Sequence, residues 1–298
     1  MEKRKSKLNR NNWFDYLNIA FMIIFCFITL FPLWAVLVGS FNQGLDYTFG
    51  GVYFWPRVWT LDNYYMVIAD EAIWRGYIVT IGRTLLGTVT SVLFTSVVAF
   101  GMSNKLLKCR KIYYWFMMVT MFFGGGIIPY FVLLKTIGLL NNFMVYIIPS
   151  LFSVYNMIVL MTFFSQIPES LAEFARLDGA GEYRILFSII LPLSKPILAT
   201  VALWSIVGHW NSYMDAMYYV TDPDLYPLQY VLMRIINKST VPTTGIGGGT
   251  LPPGILETVT AKTISFAAII VSTVPVLVCY PFLQKHFASG ATAGAIKE

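Results

Sequence analysis

Between Leu17 and Val38 the chain carries no charged side chain. A run of about 20 apolar residues is what a helix needs to cross the hydrocarbon of a bilayer. Inside hydrocarbon every backbone amide and carbonyl must find its partner within the segment, so such a run is helical. Comparable stretches follow at residues 77–102, 112–134, 143–164, 191–207 and 263–283. The pattern predicts an all-α, polytopic membrane protein with six transmembrane helices. Composition agrees, because only 12% of residues are charged, where a soluble domain has about 25%.

The net charge of +6 is read from where the charges lie. Lys3, Arg4, Lys5, Lys7 and Arg10 all precede the first apolar run. Basic residues flanking a first span set orientation, so they mark a cytosolic N-terminus and not a nucleic-acid arm. With six spans, residues 1–16, 103–111, 165–190 and the tail 291–298 fall in the cytosol, and 17–290 form the membrane domain. The basic loop from Lys105 to Lys111 obeys the same rule. The first run is too long for a cleaved signal peptide. Cys26 and Cys279 sit in apolar runs and Cys109 in a basic loop, which indicates neither a disulfide framework nor a metal site.

Several residues break the apolar pattern. Residues 40–76 are polar and aromatic, as suits an interfacial belt, with Asp62 placed to cap a short helix. Arg83 lies near the outer end of the second span, where a basic side chain snorkels to the surface, faces a cavity or marks a path. Gly124, Gly125, Gly126 and Pro129 interrupt the third span; broken helices of this kind line transporter pathways or pack closely on a neighbour. The fifth span ends in His209-Trp210-Asn211-Ser212-Tyr213. Histidines placed like His209 and His286 are expected at interfaces, not as ligands.

The polar stretch bounded most closely on both sides by apolar sequence is Pro168 to Pro192. Pro168 suits a helix start, Glu169 and Glu173 favour the first turns, and Asp178-Gly179 is a turn signal. Ile185, Leu186, Ile189 and Ile190 then recur at helical spacing until Pro192 interrupts them. This predicts two short helices with a corner between them, or an amphipathic linker lying on the membrane. No catalytic constellation is visible. No phosphate-binding G-x-x-x-x-G-K-[ST] occurs, and Gly245-Ile-Gly-Gly-Gly249 resembles one only superficially.

The residues of this stretch carry a resemblance. Glu173-Phe174-Ala175-x-x-Asp178-Gly179-Ala180, followed by Ile189-x-Leu191-Pro192, resembles the EAA loop of ABC importer permeases, with Phe174 departing from the family's first alanine. Gly124-Gly-Gly-Ile-Ile-Pro129, Gly138-Leu139, Trp210-Asn211, Thr221-Asp-Pro-Asp-x-Tyr-Pro-Leu228 and the ending from Ala291 to Lys297 are similar to the maltose-type carbohydrate branch. Within it the likeness is to lipoprotein-linked permeases for uronate-type or complex-polysaccharide fragments.

The resemblance implies a heterodimer with a second related permease, two ATP-binding subunits and an extracytoplasmic solute-binding protein, in a bacterial cell membrane. It implies no cofactor in this chain, with ATP and Mg²⁺ held by the partner subunits. Carried over residue by residue, Glu173 is an acidic contact to the ATPase. Ala175 and Ala180 allow close approach, Gly179 turns the corner, and Asp178, Leu191 and Pro192 complete the coupling loop 168–192. Sugar sites use aromatic faces and amides, which nominates Tyr130, Trp210, Asn211 and Tyr213 for the pathway, with Gly125 and Gly126 at the helix break. Arg83 would favour an acidic sugar. Alternatives are an importer of amino acids or peptides using the same loop, or a six-span receptor or scaffold.

Overall fold

The computed structural model describes residues 13–237 and 254–293. The basic residues Lys3 to Arg10, the glycine run 245–249 and Lys297 lie outside the described residues. Among those described, every regular element is helical. In chain order they are α1 (Trp13–Ser40), α2 (Gly44–Thr48), α3 (Asp62–Ile68), α4 (Glu71–Ser103), α5 (Arg110–Phe122) and α6 (Ile127–Thr136). A 3₁₀ turn (Phe143–Tyr146) precedes α7 (Val154–Phe164) and α8 (Glu169–Leu177). Then come α9 (Glu182–Ile185), a π turn (Leu186–Ile190), α10 (Leu191–Leu193) and α11 (Lys195–Asn211). The remainder are α12 (Met214–Tyr219), a 3₁₀ turn (Pro223–Leu225), α13 (Leu228–Asn237), α14 (Ile255–Thr258) and α15 (Ala261–Ala293).

α1, α4 and the Ala261–Val278 part of α15 are each long and apolar enough to cross a membrane unbroken. The expected third span is instead two helices, α5 and α6, bent by 113° at Phe123–Gly126. The expected fourth span is also broken. Pro149 cannot continue a helix from the Phe143–Tyr146 turn, and a new helix starts only where the Ser153 hydroxyl caps α7 by accepting from Asn156 N at 3.3 Å. With 11 residues α7 is too short to span alone. The helical, polytopic class holds; the spans are more fragmented than their apolar runs suggest.

The chain divides into two compact units. In the first, Met1–Ala69 with Ile235–Val271, α1 is buried only at Val38, Gly39 and Ser40 and otherwise presents apolar side chains outward. Buried Asn63 fixes the segment after it, donating to Ser40 O at 3.0 Å and Asn42 O at 2.9 Å. Asp62 does not cap α3 as expected. The N-cap position is Leu61, and the Asp62 carboxylate accepts a 2.6 Å hydrogen bond from Thr258 Oγ1.

The second unit, Asp70–Arg234 with Ser272–Glu298, is organised around α4. Asp70 caps α4 by accepting from Ala72 N at 2.9 Å. Along one face of α4, Thr80, Thr84, Thr88, Ser91, Thr95 and Ala99 are buried at helical spacing. Small side chains along such a seam let neighbouring helices approach closely, which is how helices associate where lipid is as apolar as the protein. One end of this unit holds a core of Met102, Met157, Leu160, Phe164, Ile185, Leu186 and Ile190. A separate core of Val79, Leu134, Leu139, Val145, Tyr146, Ile147, Ala216 and Val220 lies elsewhere in it.

Candidate functional site

The stretch from Pro168 to Pro192 folds as a helical corner. α8 closes with the Ala180 amide donating to Ala175 O at 2.9 Å and the Gly179 amide to Arg176 O at 3.0 Å. This double closure requires a left-handed residue just past the helix, and Gly179 supplies it at φ 79° without a Cβ to clash. Arg176 braces the second arm by donating from Nε at 2.7 Å and Nη2 at 3.2 Å to the Glu182 carboxylate. Those hydrogen bonds hold the Glu182 carboxyl below its usual range, against a smaller opposing effect of burial.

The two faces of α8 differ. Ala172, Ala175, Ala180 and Leu191 pack on the chain's own core of Met157, Leu160, Phe164 and Ile185. Small size at Ala175 and Ala180 thus lets the corner lie close on its own scaffold. The outward face carries Glu173, Phe174 at 66% exposure and Leu177 at 83%. Asp178 sits at the C-cap and is exposed. Lys105, in the loop after α4, ties down the start of α8 through a 3.2 Å ion pair with Glu169.

Pro192 does not end the second arm. The preceding turn widens to π geometry, which suits a proline that has no amide hydrogen to donate, and the helix runs on to Leu193. The break falls at buried Ser194, where the arm from Glu182 and α11 meet at 87°.

At the far end of α11 the side chains converge on α4. Arg83 is 1% exposed. Its Nη2 pairs with Asp215 Oδ2, and its Nη1 donates to Asp215 Oδ1 at 3.3 Å and to Ser212 O at 3.2 Å. Its guanidinium also lies 4.4 Å from the centroid of the Tyr146 ring, a cation–π contact. Trp210 meets the edge of Tyr77, with ring centroids 6.5 Å apart. His209 is buried, and its imidazole occupies the space a Cβ on Gly87 would need. It is a packed histidine, not the interfacial one expected.

Arg83, Trp210, Asn211 and Tyr213 are therefore gathered at the turn between α11 and α12. Asn211 is exposed there and Tyr213 half-buried. Tyr130 joins them indirectly, its ring 5.8 Å from Tyr219 of α12. Gly125 and Gly126 are exposed in the α5–α6 break, and no atom lies close enough to need their lack of a side chain. Sequence reasoning missed Asp215 and Tyr146. The available signal was Arg83 itself, because an arginine buried among apolar residues demands an acidic partner.

The family model described as "Binding-protein-dependent transport system inner membrane component" matches residues 4–292. The chain belongs to that family. It is thus a membrane-embedded permease component, and members of the family are transport subunits, not enzymes in themselves. The permease is 35% identical over 97% of its length, and 99% of the relative's, to the polygalacturonan/rhamnogalacturonan transport system permease protein YtcP of Bacillus subtilis (strain 168). It is 34% identical to Protein LplC of the same organism, covering 95% of each chain. Among solved structures it matches a chain of a bacterial ABC transporter involved in the import of the acidic polysaccharide alginate. That match has a TM-score of 0.82 and 29% identity, over 92% of this chain and 96% of the other.

Proposed function

We propose that the chain is one of two related permease halves of an ATP-driven importer, and that its solute is an oligosaccharide released from an acidic polysaccharide. A solute-binding protein delivers the sugar from outside. Two ATPase chains, which carry ATP and Mg²⁺, drive the cycle from the cytosol. Both termini and residues 168–192 face the cytosol, in keeping with the basic N-terminal residues. Six passages carry the chain through the membrane.

One observation carries the mechanism: the corner presents Glu173, Phe174 and Leu177 to solvent from a rigid, doubly closed turn. Large apolar side chains exposed beside a carboxylate suit insertion into a partner's groove. The corner is seated on a core shared with α4 and α7, so displacing it moves those helices as a body. The acidic-sugar assignment draws on the polygalacturonan/rhamnogalacturonan and alginate systems to which the permease is similar.

The test is transport by the complete complex in liposomes with binding protein, offered galacturonate oligomers, neutral maltooligosaccharides and peptides. ATP-dependent accumulation of the acidic oligomers is expected. Accumulation of peptides but no sugar would overturn the substrate assignment; uptake without ATP would overturn the importer reading.

A further inference from the structure

We propose that Arg83 is a positioning residue of the transport pathway: its guanidinium seats the Trp210–Tyr213 turn, and Asp215 cancels its charge so that it does not sense the charge of the solute. The inference rests on the reading of the chain as an oligosaccharide importer permease.

Three positions on α4 receive the end of α11 in turn. Tyr77 takes the Trp210 ring, Gly87 makes room for the His209 imidazole, and Arg83 takes what lies beyond the helix. The Trp210 and His209 contacts join α11 to α4. Arg83 reaches the turn itself, through Ser212 O and the Asp215 carboxylate on either side of Tyr213. A planar fork with fixed donor directions sets orientation as well as distance, which a point charge does not.

The same contacts leave nothing for a solute to grip. Both terminal nitrogens are engaged by protein oxygens, one face lies on Tyr146, and Nε is sealed from solvent. A carboxylate on a passing sugar would have to displace one already held in two-pronged geometry. The turn offers solute the exposed Asn211 amide and the half-buried Tyr213, and Arg83 acts through them.

The experiment uses the assembled complex. Hydrogen exchange is followed over residues 208–216, and uptake is measured for galacturonate oligomers and for their methyl-esterified, uncharged counterparts. Arg83→Gln is expected to speed exchange at 208–216 while leaving 169–193 unchanged. It should raise KM for both solutes by the same factor, roughly tenfold, and lower the maximum rate less. Arg83→Lys, which keeps the charge and is less disruptive, should give a smaller rise of the same kind. The exchanged pair Arg83→Asp with Asp215→Arg should recover part of the KM.

A rise in KM confined to the acidic oligomers would overturn the proposal, because Arg83 would then be sensing charge directly. So would wild-type exchange and KM in both single variants. If Arg83→Gln fails to assemble, Arg83→Lys decides on the same readouts. Exchange needs no solute, so it still decides whether Arg83 positions the turn if the wild type carries no oligosaccharide; that result would sink the substrate reading alone.

Discussion

Arg83 and Asp215 lie 132 positions apart in the chain, yet share one two-pronged ion pair. Arg83 is 1% exposed with its guanidinium over the Tyr146 ring, so its charge is tolerable only while the carboxylate stays. The pair is therefore a fastening between α4 and the segment beyond α11.

Breaking one side of it should be expensive. Asp215→Ala strands a buried guanidinium and is expected to destabilise the detergent-purified permease by about 3 kcal/mol. The double change Arg83→Met with Asp215→Leu should cost clearly less, because no uncompensated charge remains. Thermal unfolding of both variants checks this, and equal losses would refute it.

A second prediction concerns Gly87. A side chain there meets the His209 ring, so Gly87→Val should cost about 1–3 kcal/mol through overpacking. Coupling the change to His209→Ala should restore a good part of that loss. Absence of rescue in a double-mutant cycle would show that the two positions are not in conflict.

The corner offers a backbone test. Gly179 is left-handed, so Gly179→Val strains the turn by about 1–2 kcal/mol. Loss of binding-protein-stimulated ATP hydrolysis in the reconstituted complex is expected. Gly179→Asn, which tolerates this conformation better, should lose less. Equal activity in all three would mean that the shape of the corner does not matter for coupling.

Phe174 and Leu177 should matter to the partner and not to the fold. Phe174→Ala is expected to weaken capture of the ATPase chains about tenfold or more, the scale of a buried aromatic anchor. The melting temperature of the isolated permease should stay put. Ala175→Leu should do the reverse, disturbing the corner's seat on its own core.

The Arg176–Glu182 brace gives a pH dependence. The folded-state pKa of Glu182 lies below its ordinary 4.5, so its contribution is present above that value and fades as pH falls through the lower one. Exchange protection at residues 176–186 should thus be flat at neutral pH and decline in acid. Glu182→Gln should remove that decline; an unchanged acid limb would place its origin elsewhere.

How much of this was legible follows from the range of the forces involved. The membrane class and the corner are local facts, written in unbroken apolar runs and in Asp178-Gly179 between two helical patterns. Pro149 and Ser153 were equally visible, but an apolar run hides a break when hydropathy alone is weighed, so α7 was overextended. The pairing of Arg83 with Asp215 depends on tertiary packing across 132 residues, and no local pattern encodes it. The inward aim of Ala175 and Ala180 was missed for a similar reason. Small residues satisfy both a close partner and a close scaffold, and only the position of the core decides between them.

That division of α8 by face has an evolutionary consequence. Ala175 and Ala180, which seat the corner on its core, do not share a surface with the exposed Phe174 and Leu177. On the proposed docking of the corner, its shape and its choice of partner rest on different side chains. A change of ATPase partner would then call for rewriting only the outer side chains, Phe174 and Leu177, and would leave the fold of the corner as it is.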